Sequence, residues 1–292
     1  MNNQPVLPNI DTAYMVDFLT KLLDTPSPTG FASAAIELVE QEAAKYPEVK
    51  LERTKKGSLL LTLPAQNSSG NGSKRALTAH VDTLGAMVRQ IKPSGRLELT
   101  SVGGFAWGSI EGENCLVHTR RNGTVRGSLL PHEASVHVYE NVRDGKRDNL
   151  SMEVRLDLHV TTAEETRQLG IEVGDYVSFD ARVEVVNGFV KSRHLDDKAC
   201  VANIITAIKA LHDANLKPAV DTCFLISNFE EVGHGGSSDF PEGLDELVAL
   251  DMAAIGDGQA SDEYHASICV KDAGGPYHHE LSSKLRDLAD LY

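Results

Sequence analysis

The hydrophobic positions change rhythm along the chain. Near the N-terminus Tyr14, Met15, Phe18, Leu19, Leu22 and Leu23 recur at the three- and four-residue spacing of one helix face, and Pro26 and Pro28 end the pattern. Ser27-Pro28-Thr29-Gly30 reads as a turn, and Ala35, Ile36, Val39 and Ala43 mark a second helix. Strand-like runs follow at residues 50–55, 58–63 and 75–80, with a polar loop at 66–73. From about residue 85 to 186 the texture becomes short alternating runs split by Gly, Asn and Asp, at 97–101, 116–120, 134–139, 152–159 and 176–183. Only residues 163–169 look helical there. Helical spacing returns at 199–214, buried parallel strands are expected at 220–227 and 246–251, and an amphipathic helix at 280–291. The pattern predicts an α/β domain of residues 8–84 and 187–292, interrupted at 85–186 by an inserted small β-barrel or sandwich.

Composition narrows the classes. The chain has 292 residues, 41% hydrophobic and 24% charged, which is ordinary globular usage and excludes a disordered or fibrous protein. No apolar run reaches the roughly 18 residues of a membrane span, and the start of the chain has no signal-peptide pattern. With 28 basic against 42 acidic residues the net charge is −14, which repels nucleic acid and anionic membranes alike. Cys115, Cys200, Cys223 and Cys269 lie far apart, so reduced thiols are expected rather than a disulfide framework or a zinc–thiolate site.

Four segments place ligand-type side chains at predicted strand ends. In Thr78-Ala79-His80-Val81-Asp82-Thr83, positions two apart share a strand face, so His80 and Asp82 would point the same way. A metal-bound imidazole needs its second N–H held, and Asp82 is placed to help; an HxD pair is also a common structural feature. His194-Leu195-Asp196-Asp197-Lys198 precedes a helix, where an Asp could cap the helix or bridge two ions. Glu230 and Glu231 sit together at the tip of the apolar strand Cys223-Phe224-Leu225-Ile226-Ser227, where two buried carboxylates need cations or a shared proton. Asp251 ends another apolar run, the place where open α/β sheets bind ligands, or where a turn residue sits. One His with several carboxylates suits Zn²⁺ or Co²⁺ better than Ca²⁺. The charges of Asp196, Glu231 and Asp251 would offset most of the charge of two divalent ions, as a partly buried cluster requires.

As a set, SPTG at 27–30, TAHVDTLG at 78–85, HLDDK at 194–198, FEEVG at 229–233 and the Asp251 segment resemble the co-catalytic metallo-aminopeptidase family that includes the tetrahedral and glutamyl aminopeptidases. The resemblance implies a zinc-exopeptidase-like sandwich with a mixed central sheet and an inserted barrel used for oligomerisation. It implies that His80 and Asp251 hold one ion, Glu231 the other and Asp196 both, with Glu230 as general base and Asp82 orienting His80. The implied activity is removal of N-terminal residues from short peptides by a water activated by two Zn or Co ions per subunit. The implied setting is a cytoplasmic homo-oligomer, from dimer to dodecamer. The family's C-terminal histidine ligand has no match before Tyr292; His234, His265, His278 and His279 are substitutes off the motif, so the second ion is expected to be held weakly. The alternatives are a non-catalytic or single-metal paralogue, and a dinuclear amidase acting on a small acylated or amidated dipeptide.

Overall fold

The computed structural model describes residues 7–67 and 74–292, so the expected leader-free start and most of the expected 66–73 loop lie outside the described residues. The chain divides into two compact units, one ending at Leu250 and one beginning at Asp251.

The first unit opens with helix α1 (Thr12–Asp24) and helix α2 (Ser33–Ala43). Asp11 caps α1 by accepting from the Tyr14 N–H. The predicted faces are the buried ones: Phe18, Leu19, Leu22 and Leu23 on α1, and Ala35, Ile36, Val39 and Ala43 on α2. Strands β1 (Lys50–Arg53), β2 (Leu59–Leu63) and β3 (Lys74–His80) follow.

The inserted region forms a closed six-stranded barrel. Its strands are β4 (Gly85–Ile91), β5 (Leu97–Val102), β6 (Asn114–Thr119), β7 (Gly123–Pro131), β8 (Met152–Leu156) and, after the short helix α3 (Ala163–Gln168), β9 (Tyr176–Phe179). The order around the barrel is β4-β5-β8-β7-β6-β9, with every pair antiparallel. Alternate side chains such as Val88, Leu97, Leu99, Val117, Leu129, Val154 and Val177 fill the interior, which is what the two-residue rhythm predicts. Closure leaves no unpaired edge. The expected strand at 134–139 is a set of turns instead. It lies in the long excursion between β7 and β8, where residues 133–140 are all exposed, Val136 and Val138 included, and no described strand pairs with them.

A hairpin of β10 (Glu184–Val186) and β11 (Phe189–Lys191) leads to helix α4 (Leu195–Asp213) and strands β12 (Asp221–Ser227) and β13 (Glu246–Ala249). The central sheet runs β1-β2-β12-β3-β13 and is mixed: β12 is antiparallel to β2 but parallel to β3, and β13 is parallel to β3. On β12, Phe224 and Ile226 lie opposite Leu61 and Leu59 of β2 and beside Leu77 and Ala79 of β3. These side chains meet those of α1, α2 and α4 in one core. Burying a large aliphatic side chain is worth about 1.5–3 kcal/mol, so this layer fixes where β3 and β12 end. The strand expected at 246–251 stops at Ala249 and is half-exposed rather than buried, because β13 ends the row of paired strands.

The second unit holds the two-residue strands β14 (Lys271–Asp272) and β15 (Gly275–Pro276) and helix α5 (His279–Leu291). His278 caps α5, its Nδ1 accepting from the Leu281 N–H at 3.3 Å. No helix among the described residues is long and apolar enough to cross a membrane.

Candidate metal centre

β3 ends at His80, so Asp82 lies in the following loop rather than on the same strand face. The His80 ring is buried. Its Nδ1 donates to the main-chain carbonyl of Asp82 at 2.9 Å, while the Asp82 carboxylate stands 3.6 Å away. The sequence assigned this orienting task to the carboxylate; the carbonyl makes the shorter contact. In the neutral ring that bond selects the tautomer with Nε2 unprotonated, the form that ligates metals once a cation displaces the proton. Nε2 lies 3.1 Å from Asp196 Oδ1 and 3.7 Å from Glu230 Oε2. Nε2 and Asp196 Oδ1 are both buried and neither completes a hydrogen bond among the described residues. A buried imidazole nitrogen facing a buried carboxylate oxygen without a proper hydrogen bond fits a shared cation.

Asp196 and Asp197 lie at the start of α4 with non-helical backbone angles. Their side chains part: Asp197 Oδ2 accepts from the main-chain N–H of His80 at 3.1 Å, while Asp196 faces the imidazole. Next along the chain, Lys198 is fully buried and donates to the carbonyls of Leu22 and Thr25 at 2.9 and 2.7 Å. It ties down the C-terminal end of α1, where the Leu22 carbonyl also accepts from the Thr25 N–H at 3.2 Å. Burial pulls its pKa down to about 7.

Glu230 and Glu231 occupy a tight turn after β12. Phe229, just before them, has a left-handed backbone (φ 72°), uncommon for an aromatic residue. The fully buried Asp82 carboxylate holds the turn, accepting from Glu230 N–H and Glu231 N–H at 3.3 Å each, and from Thr29 Oγ1 at 2.7 Å. Asn228 Oδ1 accepts from the Gly30 N–H at 3.2 Å. Gly30 has φ 88°, and a Cβ there would lie 2.5 Å from the Tyr176 hydroxyl, so this position needs glycine. Lys56 donates to the carbonyls of His234 and Gly235, just after the turn.

The electrostatics call for added positive charge. Burial opposes a proton on His80, yet Asp196, Asp82 and Asp197 together push its pKa up to about 10. Burial, then the charges of Asp196, Asp82 and Glu230, lift Glu231 to about 7 against the opposing pull of His80. Carboxylates that hold back one another's ionisation and favour a charged imidazole form a pocket for a cation.

His80, Asp82, Asp196, Glu230 and Glu231 therefore meet within the first unit. Asp251 opens the second unit, one residue after Leu250, whose N–H donates to the Thr78 carbonyl at 2.8 Å. The four off-motif histidines have other surroundings: His234 stacks on Phe229, His265 pairs with Asp262 at 2.8 Å, His278 caps α5 and His279 begins it. Reading the motifs alone missed Thr29, Asn228, Lys56 and Lys198. The first and last lie inside the motifs SPTG and HLDDK, so their presence there was a signal that went unused.

Residues 57–292 match the M42 glutamyl aminopeptidase family, and the chain is 47% identical over 278 residues to YhfE of Bacillus subtilis, a protein named provisionally as an aminopeptidase. The chain belongs to the M42 glutamyl aminopeptidase family. It is thus a peptidase-type hydrolase of the aminopeptidase class. The match takes in 95% of this chain and 79% of YhfE. Two solved structures share the M42 fold at 22% identity. One is the aminopeptidase APDkam598 of the archaeon Desulfurococcus kamchatkensis, with a TM-score of 0.78 over 95% of this chain and 77% of that one. The other is the Pyrococcus horikoshii TET1 peptidase, described as able to assemble into a tetrahedron or a large octahedral shell, with a TM-score of 0.75 over 94% and 80%. The M42 family is metal-dependent.

Proposed function

We propose that this chain removes N-terminal residues from short peptides with two divalent ions, Zn²⁺ or Co²⁺. His80 and Asp196 would hold one ion, and Asp196 with Glu231 would contribute to the other. The observation that carries the reading is the buried His80 Nε2 facing Asp196 Oδ1 at 3.1 Å, neither atom completing a hydrogen bond among the described residues. When bound, such ions supply Lewis acidity, making water more acidic and polarising a carbonyl oxygen.

The remaining work falls to the protein. Glu230 is half-exposed, 3.7 Å from the buried imidazole, and so reaches both the site and solvent. It takes the proton of the attacking water and passes it to the leaving amine. Asp82 and Asp197 hold His80 through its ring and its main chain, and Asp82 holds the backbone of Glu230. The surplus of carboxylates favours a substrate carrying a free, positively charged α-amino group.

Glu230→Gln tests the reading. The amide keeps the shape but accepts no proton, so turnover should fall about 10²–10⁴-fold with metal content unchanged. Unchanged turnover in the metal-loaded variant would remove Glu230 from this role. Acetylating the substrate's N-terminus should abolish hydrolysis, and an endopeptidase would tolerate it. The barrel is the proposed assembly surface: Val136, Val138, Tyr139 and Leu150 stand exposed on its 132–151 excursion. A cytoplasmic setting suits cysteines that lie far apart in the sequence and need no oxidising compartment.

A further inference from the structure

We propose that Thr29 is a positioning residue for the Glu230–Glu231 turn, acting through Asp82. This rests on the proposed role of Glu230 as proton acceptor.

The Thr29 side chain is 3% exposed and its hydroxyl donates to Asp82 Oδ2 at 2.7 Å. Asp82 has no exposure to solvent, so its carboxylate orientation is set by protein groups. Oδ2 is shared between the Thr29 hydroxyl and the Glu231 N–H; Oδ1 is left for the Glu230 N–H. Of these three donors, the hydroxyl gives the shortest bond and comes from a separate segment. That segment is itself fixed. Thr29 N–H donates to the Thr83 carbonyl at 3.1 Å, Thr83 N–H to the Ser27 carbonyl at 2.9 Å, and the Ser27 hydroxyl to the Val81 carbonyl at 2.7 Å. The SPTG turn and the loop carrying Asp82 thus form one laced unit. The Glu230–Glu231 turn needs such an anchor, because Phe229 holds a left-handed backbone just before it. Without the hydroxyl the carboxylate is free to rotate about its χ2 bond. Both glutamate N–H groups then lose a fixed acceptor, and Glu230 loses its aim.

The test compares Thr29→Val, which replaces the hydroxyl by a methyl group of similar size, with Thr29→Ser, which keeps it. Hydrogen exchange in the metal-free protein, followed by mass spectrometry on a peptide covering residues 228–234, reports the turn without reference to activity. Thr29→Val should speed exchange at these amides about tenfold, the loss expected of a hydrogen bond to a charged acceptor, and Thr29→Ser should not. In the metal-loaded enzyme Thr29→Val should lower kcat about tenfold or more with KM little changed, and Thr29→Ser should restore it. If Thr29→Val fails to fold, Thr29→Ala against Thr29→Ser repeats the contrast without placing a methyl group on a carboxylate. Wild-type exchange and kcat in the hydroxyl-free variants, alongside an inactive Glu230→Gln, would overturn the inference alone. Full activity in Glu230→Gln would overturn the reading beneath it, and the inference with it.

Discussion

Placing one methyl group at Gly235 should slow the enzyme while largely sparing its fold. A Cβ built there would lie 2.8 Å from both the main-chain N and the Cα of Glu230 and 3.0 Å from its Cβ. Ordinary contact begins near 3.4 Å, so the Glu230 backbone must retreat by about 0.6 Å. The turn cannot yield elsewhere without cost. Gly233 N–H donates to the Glu230 carbonyl at 2.7 Å, and Lys56 holds the carbonyls of His234 and Gly235. Gly235 lies outside the left-handed region, so the clash is the whole perturbation. Overpacking of this kind costs about 1–3 kcal/mol of stability, and since a 1 Å misplacement costs on the order of 10²-fold in rate, a shift of about 0.6 Å at the proton acceptor should cost about tenfold. Gly236→Ala is the control, because the nearest atom to its new Cβ would be Phe240 Cε2 at an ordinary 3.8 Å. The assay is kcat and thermal midpoint for both variants at saturating metal. Equal kcat in the two alanine variants would refute the reasoning.

Asp196→Asn should lower the bound metal at both proposed sites. Asp197→Asn should be far milder, since an amide oxygen can still accept from His80 N–H; elemental analysis giving the reverse order would show that the wrong aspartate of the pair was chosen. Burial holds His118 below its ordinary pKa of 6.5, with Nε2 set 2.7 Å from the Ser178 hydroxyl. The unfolded chain then binds more protons than the folded one just below pH 6.5, so stability falls as pH is lowered through that window. Urea unfolding at pH 7.5 and 5.5 isolates this contribution by difference, because raised groups such as His80 and Glu231 act in the opposite sense: going to pH 5.5 should cost His118→Gln less stability than it costs the wild type, and an identical pH response in the two would assign the proton uptake elsewhere.

Helices α1, α2 and α4 and the barrel were legible because each buries one regular face, and burial with a fixed period leaves its mark on sequence; α5 forms where its spacing predicts, but only Ser282 on it is buried. Residues 134–139 show the limit. Their alternation is that of a strand, but a strand also needs a partner, and pairing is a long-range property. The site was legible in its chemistry, as His80, Glu230 and Glu231 are unusual residues for apolar strand ends and Asp196 is one of two adjacent acids at a helix start. Its support was not. Thr29 lies 53 positions from the carboxylate it grips, and Lys198 is 173 or more from the carbonyls it caps. A threonine in a turn and a lysine at a helix start look ordinary until the fold brings their partners to them. The same holds for His80, whose orienting acceptor is a main-chain carbonyl, a group every residue has.

The most direct measurement is a titration of the metal-free protein with cobalt, following release of the N-terminal residue from a short peptide with a free α-amino group. Hydrolysis should be absent without metal, rise as ions bind, and fail to rise in Asp196→Asn at matched cobalt. Full hydrolysis by the metal-free protein, or a wild-type titration curve in Asp196→Asn, would contradict a metal centre built on His80 and Asp196.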